Sequence, residues 1–507
     1  MRASSCGAIL SSRWCRVVTL RCLFVDFDSY FASVEQYDDP GLRGQPVGVV
    51  PVMADSTCCL AASYEAKAVG VKTGTGVREA RAKCPGIRLV LARPARYIEL
   101  HHQLMRAIED CIPHAKPLSV DEVPCYLIGR ERQRKNAEAI ACSIKQRLID
   151  LGFSPAIHCS IGIAPNRFLA KTASDMDKPN GLTVIESGDL PHKLHLLELR
   201  DFCGIGPSME ARLRVAGIRT AEQLCAATRE HLRAAWGSIE GERYWLQLRG
   251  FDVPDRKTAR GSVGHSHVLG PELRNFDGMR AVMFKLLAKA AMRLRHEEYV
   301  AGGLTIRIRF VGTERRFERD LHFAPIDDTP TLLHLLAGEL QVLQGIARSG
   351  RWNPKRHPPL SVAVTLVGLE PGGCMTAELM PERERAKTVS GVLDRINQRY
   401  GNNALYFGAM QDAISQNAAP MRIPFSTIPD TVLEEDAGTK RPAWKRGAHD
   451  SDHELWLQRE RQFKVLAEQT HREAQQKRKP HKPSGAGGWA PRQDASKAVE
   501  STSSSLF

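Results

Sequence analysis

A chain of 507 residues is too long for one hydrophobic core and is expected to divide into about three to five domains. No run of about 18 or more apolar residues occurs, which excludes a helical membrane span. A net charge of +14 favours a polyanionic partner, with nucleic acid first and an anionic membrane surface second.

Residues 1–19 (MRASSCGAILSSRWCRVVT) are rich in Arg and Ser and lack acids. A transit peptide and an extended or misassigned start both remain open, and the second is preferred because the first strand begins at Leu20. Leu20 to Phe27 reads as a buried strand that ends at Asp26-Phe27-Asp28, and Ser29 to Gln36 as a short helix. Strands are expected at Pro46–Val52, Cys58–Ala62 and Ile87–Leu91, with helices at Tyr64–Val69, Val77–Lys83 and Tyr97–Cys111. Lys116–Val120 and Pro124–Ile128 read as the arms of a β-hairpin with Asp121-Glu122 at its tip, Pro124 being tolerated at a strand start. A helix at Glu131–Leu151, a strand at His158–Ile163 and a helix at Asn166–Met176 follow, so helices are expected to cover one face of a sheet.

Past Gly181 the pattern turns helical, with Gly204-Ile205-Gly206 between two helices, the second spanning Met209–Ala216. Asp252–Arg260 reads as a linker. Strands at Val263–Leu269, Leu304–Val311, Phe317–Phe323 and Leu360–Val367, with helices at Met279–Arg295 and Thr331–Leu343, form a separate small α+β domain. Residues 376–429 look less regular. From Thr431 the chain is polar and charged, with at most one helix, over Glu454–Lys477, and a disordered end. The 13 cysteines are odd in number and form no Cys-x-x-Cys pair, so neither a disulfide framework nor a zinc site is expected, and a reducing cytosol fits.

The acids carry the chemistry. Asp26 and Asp28 flank Phe27 at a strand end, and Asp121 and Glu122 share a hairpin tip. Phosphoryl transfer needs negative charge neutralised on the attacking oxygen and the leaving pyrophosphate. Mg²⁺ does this with hard oxygen ligands, a few carboxylates plus substrate phosphates. An Asp-Glu pair on a hairpin is common on surfaces, so the case rests on the joint pattern.

That pattern resembles the Y-family (UmuC/DinB-like) translesion DNA polymerases. Phe24-Val25-Asp26-Phe27-Asp28-Ser29-Tyr30-Phe31-Ala32-Ser33-Val34-Glu35 is similar to the family's opening. Ala62-Ser63-Tyr64-Glu65-Ala66-Lys67, Leu118-Ser119-Val120-Asp121-Glu122, and Ser160-Ile161-Gly162-Ile163-Ala164 with the run Asn166 to Gly181 follow in order. The resemblance spans about residues 20 to 370 and continues more weakly to about 430. It implies that Asp26, the Phe27 carbonyl, Asp121 and Glu122 bind two Mg²⁺ ions, with Asp26, Asp121 and Glu122 catalytic and Asp28 a supporting acid. Tyr30 and Phe31 would offer backbone N–H groups to the incoming triphosphate, Phe31 would be the steric gate against a ribose 2′-hydroxyl, and Tyr64, Lys67 and Lys171 would meet the β- and γ-phosphates. Three departures bear on rate rather than on metal binding: Lys67 stands where many relatives have Arg, Ala61 where they often have a hydroxyl, and Pro124-Cys125 follows the acidic pair.

Gly204 and Gly206 look like a helix-hairpin-helix that would grip a DNA backbone. Thr305, Arg307 and Arg309 share one strand face, opposite Ile306, Ile308 and Phe310, and that basic face is expected on DNA. Fold expectation is α+β, a multidomain right-hand polymerase. Its parts are a palm (20–28 and 93–182), small fingers (29–92), a helical thumb (183–251), a linker (252–261) and a separate little-finger domain (262–370). An extension (371–430) and a tail (431–507) follow. The implied function is low-fidelity, template-directed DNA synthesis in damage tolerance, without proofreading, in the bacterial cytoplasm at the nucleoid. Expected partners are a primed DNA template and dNTPs, with a sliding clamp and other mutagenesis proteins as further candidates. No membrane partner is expected, and the catalytic subunit is expected to be monomeric. Ser505-Leu506-Phe507 is similar to the Leu-Phe end of clamp-binding peptides but lacks their upstream Gln. Two rivals are a non-catalytic DNA-binding adaptor, which would have lost palm acids, and a nucleotidyl cyclase, which would need neither thumb nor basic last domain.

Overall fold

The strand β1 (Cys22–Phe27) is buried along its whole length and is the spine of the first half of the molecule. A computed structural model describes residues 19–256, 259–374, 381–425 and 427–436, and the fold is given for these. After β1 come α1 (Tyr30–Asp38), β2 (Val47–Val50), β3 (Ala61–Ala62), α2 (Tyr64–Ala68), α3 (Val77–Lys83), β4 (Arg88–Leu91), α4 (Pro94–Glu109), β5 (Glu122–Tyr126), α5 (Arg134–Asp150), β6 (Cys159–Ala164), α6 (Arg167–Met176) and β7 (Leu182–Val184). The main sheet has the order β5-β1-β6-β7, and β3-β2-β4 form a smaller one. Side chains alternate across β1. Leu23, Val25 and Phe27 enter a core with Tyr97, Leu104 and Ile144 from α4 and α5. Cys22 and Phe24 enter another with Phe168 and Leu169 of α6 and with Leu199 and Leu213 beyond it. One strand thus joins two cores, and its end is held from both sides.

The expected hairpin around Asp121-Glu122 needs correction. Only its second arm is a strand, and Glu122 lies inside that strand, paired with Asp26, rather than at a tip. The first arm, with Pro117, is irregular chain that meets β5 through the Leu118 N–H to Glu122 carbonyl bond of 2.9 Å, and just before it come the His114–Cys125 bridge and the Ala115 N–H to Pro124 carbonyl bond of 2.9 Å. β5 is the sheet edge, which is where a strand proline such as Pro124 is tolerated. Short β7, parallel to β6, was not expected from its sequence.

Helices α7 (Pro207–Val215), α8 (Ala221–Ala226), α9 (Arg229–Trp236) and α10 (Glu240–Leu248) follow. Then come β8 (Ser262–Val268), α11 (Phe276–His296), β9 (Tyr299–Phe310), β10 (Arg316–Ile326), α12 (Thr329–Arg348) and β11 (Pro359–Pro371), with sheet order β10-β9-β11-β8, every pair antiparallel. The apolar face of this sheet packs on α11 and α12.

The stretch expected to be less regular contains α13 (Pro381–Tyr400) and α14 (Gln411–Ser415), and the start of the polar tail holds a short helix that was not expected, α15 (Thr431–Glu434). α13 shows little apolar stripe because polar groups fasten it. Ser390 is buried and its hydroxyl accepts the Thr329 N–H at 3.0 Å, while Asp394 pairs with Arg295 at 2.7 Å. Met410, Ala413, Ala418 and Ala419 join the core under α11. The helix expected at Glu454–Lys477, the first eighteen residues and the Ser505-Leu506-Phe507 end lie outside the described residues.

Candidate active site

Asp26 is 4% exposed and faces Glu122 directly across the β1–β5 pair. Two like charges opposite one another destabilise a sheet unless they are countered. The counter-charge comes from α6, whose first turn is capped by Asn166, the side-chain oxygen accepting the Leu169 N–H at 2.8 Å. The Lys171 ammonium touches Asp26 and lies 2.9 Å from Glu122 and 3.1 Å from Asp175. Lys178, just past the helix, lies 2.8 Å from both Asp26 and Asp175. Burial works against the Lys171 ammonium, but Asp26, Asp175 and Glu122 outweigh it and hold the group above the ordinary lysine value.

Asp121 accepts the Phe27 N–H on its carbonyl at 2.9 Å, which ties it to the end of β1. Its carboxylate accepts a hydrogen bond from the Ser119 hydroxyl. Burial, and then the charges of Asp26 and Glu122, push its carboxyl up to about 6 against the opposing effects of Ser119 and Lys171. Behind the turn, buried His101 places Nδ1 2.7 Å from the Val120 carbonyl, and burial lowers its pKa to about 3. The ring is therefore neutral and donates from Nδ1.

Among the described residues, no three His, Cys, Asp or Glu side chains form a ready-made metal cage. The donors gathered here are still all hard oxygens, and two ammonium groups sit among them. Mg²⁺ uses one or two carboxylates and completes its shell with water and phosphate oxygens. Asp26, Asp121, Glu122 and the Phe27 carbonyl fit that requirement.

Asp28 has a different task. Its buried carboxylate accepts from Ser160 Oγ at 2.9 and 3.1 Å, the Asn180 N–H at 2.8 Å and Tyr64 OH at 3.2 Å. It brackets β6, the Asn180 turn and α2 together. Burial and the neighbouring Asp28 raise the Tyr64 phenol, which stays a hydrogen-bond donor. Lys67 Nζ is 2.6 Å from Ser29 Oγ and 4.4 Å from the centre of the Tyr64 ring, so both expected phosphate contacts stand together beside the start of α1. Burial and then Lys178 lower the Lys67 ammonium.

Ser29 sits in the left-handed region (φ 48°), which turns the chain from strand into helix. Tyr30 and Phe31 are thus first-turn residues, whose N–H groups have no partner within the helix. The Phe31 ring stacks on Tyr97 at 4.4 Å and 15°. Tyr97 is braced by its hydroxyl bond to Glu35 at 2.7 Å, and Arg93 grips the same carboxylate.

The DNA-contact candidates lie on other parts of the fold. Gly204 has φ +86° and Gly206 caps α7, but the element before the turn is a short 3-10 helix (Leu199–Asp201) rather than an α-helix. A Cβ at either glycine would meet nothing within 4 Å, so the turn is open to an approaching backbone. Cys203 lies near enough to the acids that, after burial, the charges of Lys171 and Glu122 act on its thiol. On β9, Ile306, Ile308 and Phe310 are buried and Arg307 and Arg309 exposed, as alternation requires. Arg307 is held by Glu318 at 2.5 Å across the strand pair. Lys178, Asp175, Ser160 and Tyr97 had not been singled out; the first three fall inside the motifs quoted from the sequence, whereas Tyr97 carries no local signal.

Two family profiles match the chain: the impB/mucB/samB family over residues 25–175, and its C-terminal domain over 260–376. DNA polymerase IV of Moorella thermoacetica is 33% identical over 392 residues, covering 76% of this chain and 94% of that protein. DNA polymerase IV of Halorhodospira halophila is 32% identical, covering 68% and 99%. The solved structure of the Y-family DNA polymerase chimera Dbh-Dpo4(243-245)-Dbh has a TM-score of 0.56 at 24% identity and covers 69% of this chain and 99% of that one, a likeness of fold. The α+β architecture is that of the Y-family polymerases. This chain belongs to the impB/mucB/samB family, the Y-family of translesion DNA polymerases. Its activity is that of a DNA-directed DNA polymerase.

Proposed function

We propose that the chain extends a DNA primer past template damage by transferring deoxynucleoside monophosphate from a dNTP to the primer 3′-hydroxyl. The observation that carries this reading is the meeting of Asp26, Asp121 and Glu122 at the joined ends of β1 and β5, with Lys171 and Lys178 against them. The 3′-oxygen loses its proton and bonds to the α-phosphorus as the bond to pyrophosphate breaks. Asp26, Asp121, Glu122 and the Phe27 carbonyl would hold two Mg²⁺ ions, which supply charge neutralisation on the attacking and leaving oxygens. The first-turn N–H groups of Tyr30 and Phe31, with Tyr64, Lys67 and Lys171, receive the triphosphate, and Phe31 excludes a ribose 2′-hydroxyl.

The main sheet is read as the palm, the β3-β2-β4 region as small fingers, α7–α10 as the thumb and the β8–β11 sheet as the little finger. Gly204, Gly206, Arg307 and Arg309 contact the DNA backbone. No proofreading activity is assigned, and the setting is the damage (SOS) response in the bacterial cytoplasm. Among the described residues, no helix is long and apolar enough to cross a membrane. Retention of every palm acid argues against the adaptor reading.

Primer extension with Mg²⁺ and dNTPs tests the assignment. The intact chain should extend, and Asp121→Asn/Glu122→Gln should lose at least about 100-fold in rate while binding primed DNA. If neither protein extends the primer and both bind DNA equally, the adaptor reading replaces this one.

A further inference from the structure

The segment after α14 is anchored on one part of the molecule and reaches into another. Its anchor is a pair of buried lysines on α11. Lys285 donates to the Ala418 carbonyl at 2.6 Å and Lys289 to those of Ala419 and Pro420 at 2.9 and 2.6 Å. Asp436 pairs with both, at 2.5 and 2.9 Å, and Arg422 pairs with Glu434 at 2.9 Å. Buried ammonium groups are tolerated only when hydrogen-bonded and countered, so the backbone at Ala418–Pro420 is strictly placed.

Beyond the anchor, Ile423 packs against the core that holds β1, α1 and α4. Phe425 then sets its ring 5.6 Å from that of Phe31, tilted at 45°. Phe31 is consequently stacked by Tyr97 on one side and met by Phe425 as well, and is 4% exposed, whereas Phe425 is 48% exposed. A ring that tests the sugar of an incoming nucleotide must touch that sugar, and a ring already covered cannot.

We propose that Phe425 occludes the sugar side of the nucleotide pocket, so that an incoming dNTP must displace it from Phe31 before binding productively. This inference rests on Phe31 being the sugar-sensing residue. The occluded state costs apparent affinity in proportion to its population. An aromatic contact of this type corresponds to about a two- to tenfold factor in a binding constant.

Single-nucleotide insertion kinetics on a primed template test this with the full chain, Phe425→Ala, Phe425→Leu and Phe31→Ala, each checked for an unchanged unfolding temperature. Phe425→Ala should lower the KM for dNTP about two- to tenfold, with the change carried by KM rather than kcat and Phe425→Leu intermediate. An unchanged KM overturns the proposal, and a raised KM shows that Phe425 supports the gate instead of covering it. If Phe425→Ala does not fold, the Leu variant decides by the same criterion. Phe31→Ala should relax discrimination between dNTP and rNTP. If discrimination is unchanged there, the sugar-sensing role of Phe31 falls, whatever Phe425→Ala has shown about occlusion.

Discussion

At the residue scale, the site is a balance of charge in a partly dry setting. Asp26 and Glu122 face each other, Asp121 is close to both, and Lys171 and Lys178 hold the group together. The acids do not share one role. Asp28 is consumed by hydrogen bonds from Ser160, Asn180 and Tyr64, which leaves it a structural bracket. Asp121 has its carboxyl pushed up to about 6 by burial and by its neighbours' charge. Its folded value lies above the unfolded one, so its contribution to stability is present at low pH and is lost as pH rises through about 6. Mg²⁺ held as proposed would reverse that loss, because it needs the ionised form and competes with the proton. The rise in unfolding temperature caused by Mg²⁺ should therefore be small near pH 5 and grow towards pH 7. Asp121→Asn should flatten the dependence. Differential scanning fluorimetry with Mg²⁺ against EDTA measures it, and a pH-independent rise in the intact protein would contradict the assignment.

At the scale of elements, close approach of α6 to the main sheet sets where Lys171 stands. Gly162 on β6 permits that approach, because a Cβ there would lie 2.0 Å from the Ala170 carbonyl oxygen and 2.4 Å from the Ser174 nitrogen. Backbone atoms cannot step aside as a flexible side chain can. Gly162→Ala should push α6 outwards, cost about 1–3 kcal/mol of stability and slow primer extension by displacing Lys171 from Asp26 and Glu122. Thermal unfolding together with extension rates would show both effects, and a variant as stable and active as the parent would refute the packing argument. Much at this scale could be read from the chain: α1, α6, α11 and the strands of the last sheet follow from apolar spacing, and Asn166 is a recognisable cap. The first arm of the expected hairpin failed as a strand because Lys116–Val120 gains its hydrogen bonds irregularly, as in Leu118 N–H to the Glu122 carbonyl at 2.9 Å. α13 is not legible in the sequence because it is fastened by Ser390 and Asp394 rather than by an apolar stripe.

At the scale of the whole molecule, the basic character of the chain is spent unevenly. On β9, Arg307 is already paired with Glu318, whereas exposed Arg309 stands opposite Arg316, itself held by Glu318 at 2.9 Å. Arg309→Ala should weaken binding to primed DNA and reduce the slope of log affinity against log salt by about one. Arg307→Ala should change the slope less, because a phosphate must first displace Glu318. Fluorescence anisotropy over a salt series gives both slopes, and an unchanged slope for Arg309→Ala would remove this face from the DNA interface. By itself the sequence determined which acids the chain places at strand ends, the order of its motifs and the class of each strongly periodic element. Those features are local: spacing of two or of about 3.6 residues reports which face is buried. Tertiary structure alone decided which charges meet, that Lys178 joins Lys171 on Asp26, that Tyr97 stacks on Phe31, and that Phe425 arrives from near the far end of the described chain to meet the same ring. Periodicity shows that a side chain is buried but carries no record of its partner, because partners distant in sequence are brought together only when separate cores close on one another.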